Sequence, residues 1–243
     1  MAPSRIAAIA ERIAKARRSG ARITLDDAPR DFDEAFAVQD LVIEAQKSSV
    51  IGWKVNELPE GLVTYAPILR AGEVVAGGTW HVTGGEPAGI ELEIAFRMGK
   101  PVAANASAAQ ILDSVASAHV VYELCQSRFT EPSAIPRHVA LADSISNFGV
   151  VVGPEFKTWR ERDLKGVTGR LLVDGKLHAE GKSAAPLRVL SLLPGALGRH
   201  GKSLSAGDIV ITGSLIGMNW LKGRHALTGI IDGLGEVSMR LDA

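Results

Sequence analysis

Cysteine is nearly missing from this sequence of 243 residues: Cys125 stands alone, so no disulfide can form within the chain, and a reducing, cytoplasmic setting is the simplest reading. Aromatic residues make up only 5% of the chain, and 27 basic side chains balance 27 acidic ones for a formal net charge of +0. A chain without basic excess is not built to hold nucleic acid or an acidic membrane surface. A net charge near zero also does little to oppose self-association. No run approaches the ~20 apolar residues of a membrane span. The N-terminal stretch carries Arg5, Glu11, Arg12, Lys15, Arg17 and Arg18 among small apolar residues and lacks the apolar core of a signal peptide. Phosphate-binding patterns of the G-x-G-x-x-G and G-x-x-x-x-G-K-[ST] kind are missing too, which leaves nucleotide binding without support. What is present, 46% hydrophobic and 22% charged, is ordinary globular material, enough for one large core or two smaller ones.

Periodicity divides the chain into a helical start and a β-rich remainder. Residues 4–19 read as a helix, with Ile6, Ala10 and Ile13 on one face and Gly20 as its stop. Residues 32–47 read as a second, with Asp31 as N-cap. From there the texture is that of strands: 50–56, 90–98, 119–125, 208–213 and 229–241, with a hairpin over 167–180 turning at Asp174-Gly175. Two helices interrupt them, one over 107–117 capped by Ser107 and one over 186–200 that Pro194 should break or kink. The pattern predicts an α+β protein, with a small helical part over 1–55 and a β-rich catalytic body over 56–243 in one continuous domain.

The strand IELEIAFRM at 90–98 carries the chemistry. Strict alternation puts Ile90, Leu92, Ile94 and Phe96 on one face and Glu91, Glu93 and Ala95 on the other. Two carboxylates at i and i+2 lie roughly 6.5–7 Å apart along a strand, close enough to reach one cation from the same side. In HVVYELC at 119–125, Glu123 shares a face with Val121 and Cys125, apolar company in which an ionised carboxylate needs a partner. A divalent cation would resolve the repulsion of three such groups, and oxygen donors favour a hard ion, Mg²⁺ or Mn²⁺. Taken alone, alternating Glu on a strand is more often the mark of a solvated sheet face.

Five segments occur in order: IGWKVN at 51–56, GIELEIAF at 89–96, YELCQSRF at 122–129, LADSISNFGVVVGP at 141–154 and AGDIVITGSLIG at 206–217. Together they resemble the hydratase/decarboxylase branch of the fumarylacetoacetate hydrolase superfamily, whose members include 2-oxopent-4-enoate hydratase and 4-oxalocrotonate decarboxylase. The resemblance implies a mixed β-sandwich or barrel-like body of the fumarylacetoacetate hydrolase C-terminal type, and a homo-oligomer. It implies a metal-dependent lyase that takes a small 2-oxo acid through a metal-stabilised enolate. On the matching positions it makes Glu91, Glu93 and Glu123 the ligands of Mg²⁺ or Mn²⁺, and Lys54 and Ser146 the catalytic and substrate-binding residues. An acylpyruvate C–C hydrolase of the same superfamily and a non-catalytic partner subunit are the alternatives. The chain departs from the pattern in places. Gln126 stands where many relatives have Asp, and Ser144 where many have Asn. The segment 57–69 is short where relatives carry an acidic lid, which implies a loosely held distal end of the substrate unless Tyr65 and Pro67 close the pocket.

Other residues have two readings each. Lys54, between Trp53 and Val55, is either a solvated edge residue or a buried cation facing the substrate. Ser214 and Thr212, beside Gly213, either bind a substrate carboxylate or close a tight turn. Asp143 either orients Lys54 or caps a turn, and Arg128 either positions Ser127 or forms an ion pair. Cys125 reads as a packing residue rather than a nucleophile.

Overall fold

The computed structural model describes residues 4–84 and 87–243. The chain runs through α1 (Arg5–Ser19), α2 (Phe32–Gln46), β1 (Val50–Glu57), β2 (Val63–Leu69), β3 (Glu73–Val74), β4 (Thr79–His81) and β5 (Ala88–Met98). It continues with α3 (Ala108–Asp113), β6 (Val115–Cys125), α4 (Arg137–Ala142), β7 (Asn147–Phe156), β8 (Thr168–Val173) and β9 (Lys176–Lys182). It ends with α5 (Pro186–Gly198), β10 (Ile209–Ser214), β11 (Asn219–Leu221), β12 (Arg224–Ile231) and β13 (Gly235–Asp242). The architecture is thus mixed β-sheets with a few helices. No helix among the described residues is long and apolar enough to cross a membrane.

An eight-stranded sheet has the order β2-β1-β10-β5-β6-β7-β3, with β11 added on β5. Its two ends are nearly one piece of chain. Only the 3₁₀ turn Arg70–Gly72 separates β2 at one end from β3 at the other, and β3 pairs in parallel with β7. The sheet therefore rolls back on itself. The seam is tight enough that a Cβ on Gly149 would lie 1.7 Å from the Gly72 carbonyl oxygen. Inside the roll, Ile68, Ala95, Val121, Val150, Ile209 and Ile211 form a small apolar cluster of their own. Outside it, Leu92 and Tyr122 pack against the second sheet, β4-β13-β12-β8-β9, whose Gly229 leaves them room. Strand β5 is consequently interior on both faces. Its alternation of Glu with Ile and Leu separates two interiors, not core from solvent.

Most elements follow the sequence reading, and the exceptions have local causes. Residues 229–241 are the hairpin of β12 and β13 instead of one strand, because Asp232-Gly233, with Gly233 at φ 75, is itself a turn. The helix expected over 107–117 stops at Asp113; β-branched Val115 opens β6 and pairs with Met98. Helix α5 runs through Pro194 to Gly198 without breaking. Strand β2 occupies most of the segment read as a shortened lid. Tyr65 is buried against Phe36, Trp53 and His200, with its hydroxyl 2.7 Å from His200 Nδ1, so it closes no pocket. The boundary drawn at residue 55 falls inside β1.

The first helix is tied to the body by charge as well as by apolar contact. Ser4 caps its start and Gly20, at φ 72, its end. Arg17 in its last turn reaches the fully buried Asp143, with Nη1 3.1 Å from Oδ1, and donates from Nη2 to the Asn147 carbonyl at 2.9 Å. Burial, and then the neighbouring Arg128 charge, lower the Arg17 guanidinium to about 10 against the opposing pull of Asp143. Arg17→Met should therefore lower stability by about 3 kcal/mol, the low end for breaking a buried pair because Arg128 stays on Asp143. Urea unfolding should show a lower midpoint at unchanged slope, and Arg17→Lys should recover only part of the loss, since one ammonium lacks the fork that serves two acceptors.

Candidate active site

One end of the roll holds the acidic residues. Glu91 on β5 stands directly opposite Glu123 on β6, and Glu93 lies one pleat further along β5, opposite Val121. Neighbouring β10 supplies Ser214 opposite Glu93. Lys54 reaches in from β1, where it is paired with Ile211 of β10. All four strands turn these positions to the same side, above the apolar cluster inside the roll. The solvated-face reading of Glu91 and Glu93 does not hold, since Glu93 is 1% exposed and the Glu91 side chain 14%. Nor is Lys54 an edge residue, at 5% exposure.

The polar contacts are few and directed. Lys54 Nζ lies 2.8 Å from Glu123 Oε1, 3.6 Å from Glu91 Oε2 and 3.5 Å from the Ile145 carbonyl. Asn147 Nδ2 donates to the same Glu123 oxygen at 2.9 Å. The Gly213 amide donates to Glu93 Oε2 at 2.7 Å. The remaining oxygens, Glu93 Oε1 and Glu123 Oε2, are buried with no hydrogen-bond partner. Burial pushes the Glu91 carboxyl up to about 7, and it pushes Glu93 well above the usual carboxylate range, helped by the charges of Glu123 and Glu91. Burial alone would lower the Lys54 ammonium; the surrounding negative groups, Glu123 foremost, more than reverse this and hold it above the ordinary lysine value. Three acidic groups thus face one ammonium, and two buried oxygens lack a donor. That arrangement suits a divalent cation. Oxygens of Glu91 and Glu123 and the Cys125 sulfur also lie within 4.8 Å of one another, close enough to share an ion.

A cleft of ≈ 660 Å³ opens over this cluster. Lys54, Glu91, Glu93, Ser146 and Ser214 line it, while Glu123 sits below, reached through Lys54. The structure therefore gathers all six site positions read from the sequence around one opening. The Ser214 hydroxyl bonds the Gly217 carbonyl at 3.1 Å, which closes a turn as well as facing the cleft. Thr212 bonds the Ile94 carbonyl and stays in the sheet. Gln126 donates to the Thr83 carbonyl at 2.7 Å, outside the acidic cluster. Pro132, Ala140, Met218 and Trp220 form the outer wall.

Ser146 owes its position to an unusual turn. Ser144, Ile145 and Ser146 have φ of 54, 51 and 63, three consecutive left-handed residues none of which is glycine. Each costs on the order of 1–2 kcal/mol. The turn presents the Ile145 carbonyl to Lys54 and Ser146 to the cleft. Two arginines grip its ends: Arg128 holds Asp143 through Nε at 2.6 Å and bonds the carbonyls of Asp143 and Asn147, while Arg17 reinforces both contacts. Asp143 thus neither orients Lys54 directly nor merely caps a turn. Arg17 and Asn147 escaped the sequence reading. Arg17 was one charge among several on an amphipathic helix, and Asn147 carries no spacing signal, since its role depends on β7 lying beside β6.

With this geometry in view, the chain can be set beside known proteins. No family model matches it. It is 27% identical over 251 residues to a 2-keto-4-pentenoate hydratase of Burkholderia vietnamiensis, a match that spans 96% of this chain and 95% of the relative. It is 26% identical over 255 residues to a 4-oxalocrotonate decarboxylase of a Pseudomonas species, over 96% and 97% of the two chains. The 4-oxalocrotonate decarboxylase from Pseudomonas putida G7, solved with magnesium and adipate, superposes with a TM-score of 0.88 at 21% identity, over 99% of this chain and 98% of that one. From end to end, then, this chain resembles the hydratase/decarboxylase branch of the fumarylacetoacetate hydrolase superfamily.

Proposed function

We propose that this protein is a metal-dependent lyase acting on a small 2-oxo acid, of the 2-oxopent-4-enoate hydratase or 4-oxalocrotonate decarboxylase type. The observation that carries the proposal is the buried carboxylate cluster of Glu91, Glu93 and Glu123, with two oxygens left without donors at the floor of an open cleft. These three residues would hold Mg²⁺ or Mn²⁺. A divalent cation there supplies Lewis-acid stabilisation of the negative charge that develops on the 2-oxygen of the acid. Lys54, fixed by Glu123 and the Ile145 carbonyl, sets its ammonium at the cleft floor, where it meets the substrate carboxylate or the enolate oxygen. Ser146, held out by the left-handed turn, orients the substrate or a water molecule. Ser214 gives a further hydroxyl at the rim.

The walls also select among such acids. Among the described residues Lys54 is the one cation that lines the cleft, and the outer wall of Pro132, Ala140, Met218 and Trp220 is apolar, with Asn56 and Ser133 as uncharged polar neighbours. A second carboxylate at the far end of a substrate would meet no cation among these wall residues, only apolar side chains and the uncharged Asn56 and Ser133. The wall favours a monocarboxylate with an uncharged tail, hence hydration over decarboxylation of a dicarboxylate. It also gives the distal end a surface to rest on, contrary to the loose hold expected from the short 57–69 segment.

Three outcomes follow from this reading. Glu93→Gln should abolish the rise in melting temperature that Mg²⁺ or Mn²⁺ produces; unchanged calorimetric binding in that variant would place the ion elsewhere. Lys54→Met should lower turnover at least tenfold, since a charge-assisted contact is worth roughly 1.5–3 kcal/mol. In steady-state assays a five-carbon 2-oxo monocarboxylate should exceed its longer dicarboxylate analogue at least tenfold in specificity constant, about 1.4 kcal/mol. A preference for the dicarboxylate would turn the assignment to the decarboxylase.

A further inference from the structure

Cys125 has no place in the function proposed above, yet it lies against the carboxylates that carry it. It follows Glu123 by two residues on the same face of β6, stands opposite Gly89 of β5, and is fully buried. Gly89 is what lets it sit there: a Cβ at that position would lie 2.9 Å from the Cys125 Cβ. The sulfur is 3.9 Å from Glu91 Oε2, and oxygens of Glu91 and Glu123 join it in a group no wider than 4.8 Å. Ligands bonded to one ion at about 2.0–2.3 Å are separated by no more than roughly 4–4.6 Å, so small side-chain adjustments suffice to bring all three onto a common centre. Two independent features mark that centre as short of a cation. Glu123 Oε1 takes both the Lys54 and the Asn147 donors, which leaves Oε2 buried and bare. Glu93, turned toward the Gly213 amide through Oε2, likewise leaves Oε1 bare.

We propose that the Cys125 sulfur is itself a ligand of the divalent ion, and that it shifts the preference of the site from Mg²⁺ toward borderline ions such as Co²⁺ or Zn²⁺. The inference rests on the reading that the acidic cluster holds a metal. Oxygen donors alone suit Mg²⁺; one thiolate among them favours softer ions, and thiolate coordination is discriminating in a way that carboxylate coordination is not. As the metal–sulfur bond forms, the thiol proton leaves to solvent. Valine at this position would fill the same volume and leave an oxygen-only site.

Cobalt substitution tests this directly, because Cys125 is the only cysteine in the chain and any thiolate-to-cobalt charge transfer must come from it. The metal-free protein, titrated with Co²⁺, should develop a near-ultraviolet charge-transfer band together with the weaker visible ligand-field bands. Cys125→Val should keep the ligand-field bands, lose the charge-transfer band, and lower the ratio of Zn²⁺ to Mg²⁺ affinity at least tenfold by competition calorimetry. Ligand-field bands without charge transfer in the wild-type protein would overturn the inference while leaving the metal site standing, and this reading needs no variant to fold. An unchanged affinity ratio in Cys125→Val would overturn it as well. If Co²⁺, Zn²⁺ and Mg²⁺ all fail to bind the wild-type protein, the metal reading itself falls, and the role of Cys125 with it.

Discussion

The contact between Lys54 and Glu123 is the constraint around which the molecule is arranged. A carboxylate at 0% exposure requires a cation, and Lys54 Nζ supplies it at 2.8 Å. The two residues come from strands that are not neighbours, with β10 and β5 between β1 and β6. An ammonium on one strand can meet a carboxylate three strands away only if the sheet curves, and the rolled sheet provides that curvature. The single ammonium does not neutralise three acids. Glu91 and Glu93 are left with raised proton affinity, and the cluster retains capacity for a further positive charge. A buried charge set short of one cation is a poor way to stabilise a fold and a good way to prepare a binding site.

A second buried charge set supports the first. Asp143, held between Arg17 and Arg128, fixes one end of the left-handed turn, and the two guanidiniums take the carbonyls at both ends. Asn147, whose carbonyl they grip, spends its side chain on Glu123. The N-terminal helix thus reaches the site through two steps, Arg17 to Asn147 and Asn147 to Glu123. Helix α1 looks peripheral in the order of the chain, and its charge is nevertheless part of the scaffold on which the acidic cluster rests.

The parts of this arrangement that are local in sequence were legible from it. Parity on 90–98 and 119–125 placed Glu91, Glu93 and Glu123 on matching faces, and caps at Asp31 and Ser107 marked helix starts as the structure has them. Parity could not say that both faces of β5 are interior, because burial depends on how far the sheet curls. The turn at Asp232-Gly233 carried the same signal as Asp174-Gly175 and was masked by apolar residues on both sides. The segment 57–69 is short for a lid, but its alternation, with Tyr65 and Pro67 opposite Val55 and Trp53, belongs to a strand. Arg17 and Asn147 act across 126 and 24 residues of chain, a separation that no short-range pattern reports.

The position of strain is the last link between fold and function. Three left-handed residues in a row cost the folded state several kcal/mol. Glycine at 144–146 would remove most of that cost, but it would also remove the Ser146 hydroxyl and free the backbone to adopt many conformations. The sequence keeps side chains there and confines the strain between Asp143 and Asn147, both of which Arg17 and Arg128 grip. Strain held in this way is rigidity: the turn sets the Ile145 carbonyl on Lys54 and Ser146 at the wall of the cleft. A site whose groups are already placed loses little on binding to their ordering. The opposite wall rests on β11, whose Trp220 pairs with Gly89 of β5, and its Met218 and Trp220 stay 37% and 43% exposed. The cleft therefore joins a braced polar floor to a largely apolar, partly exposed rim.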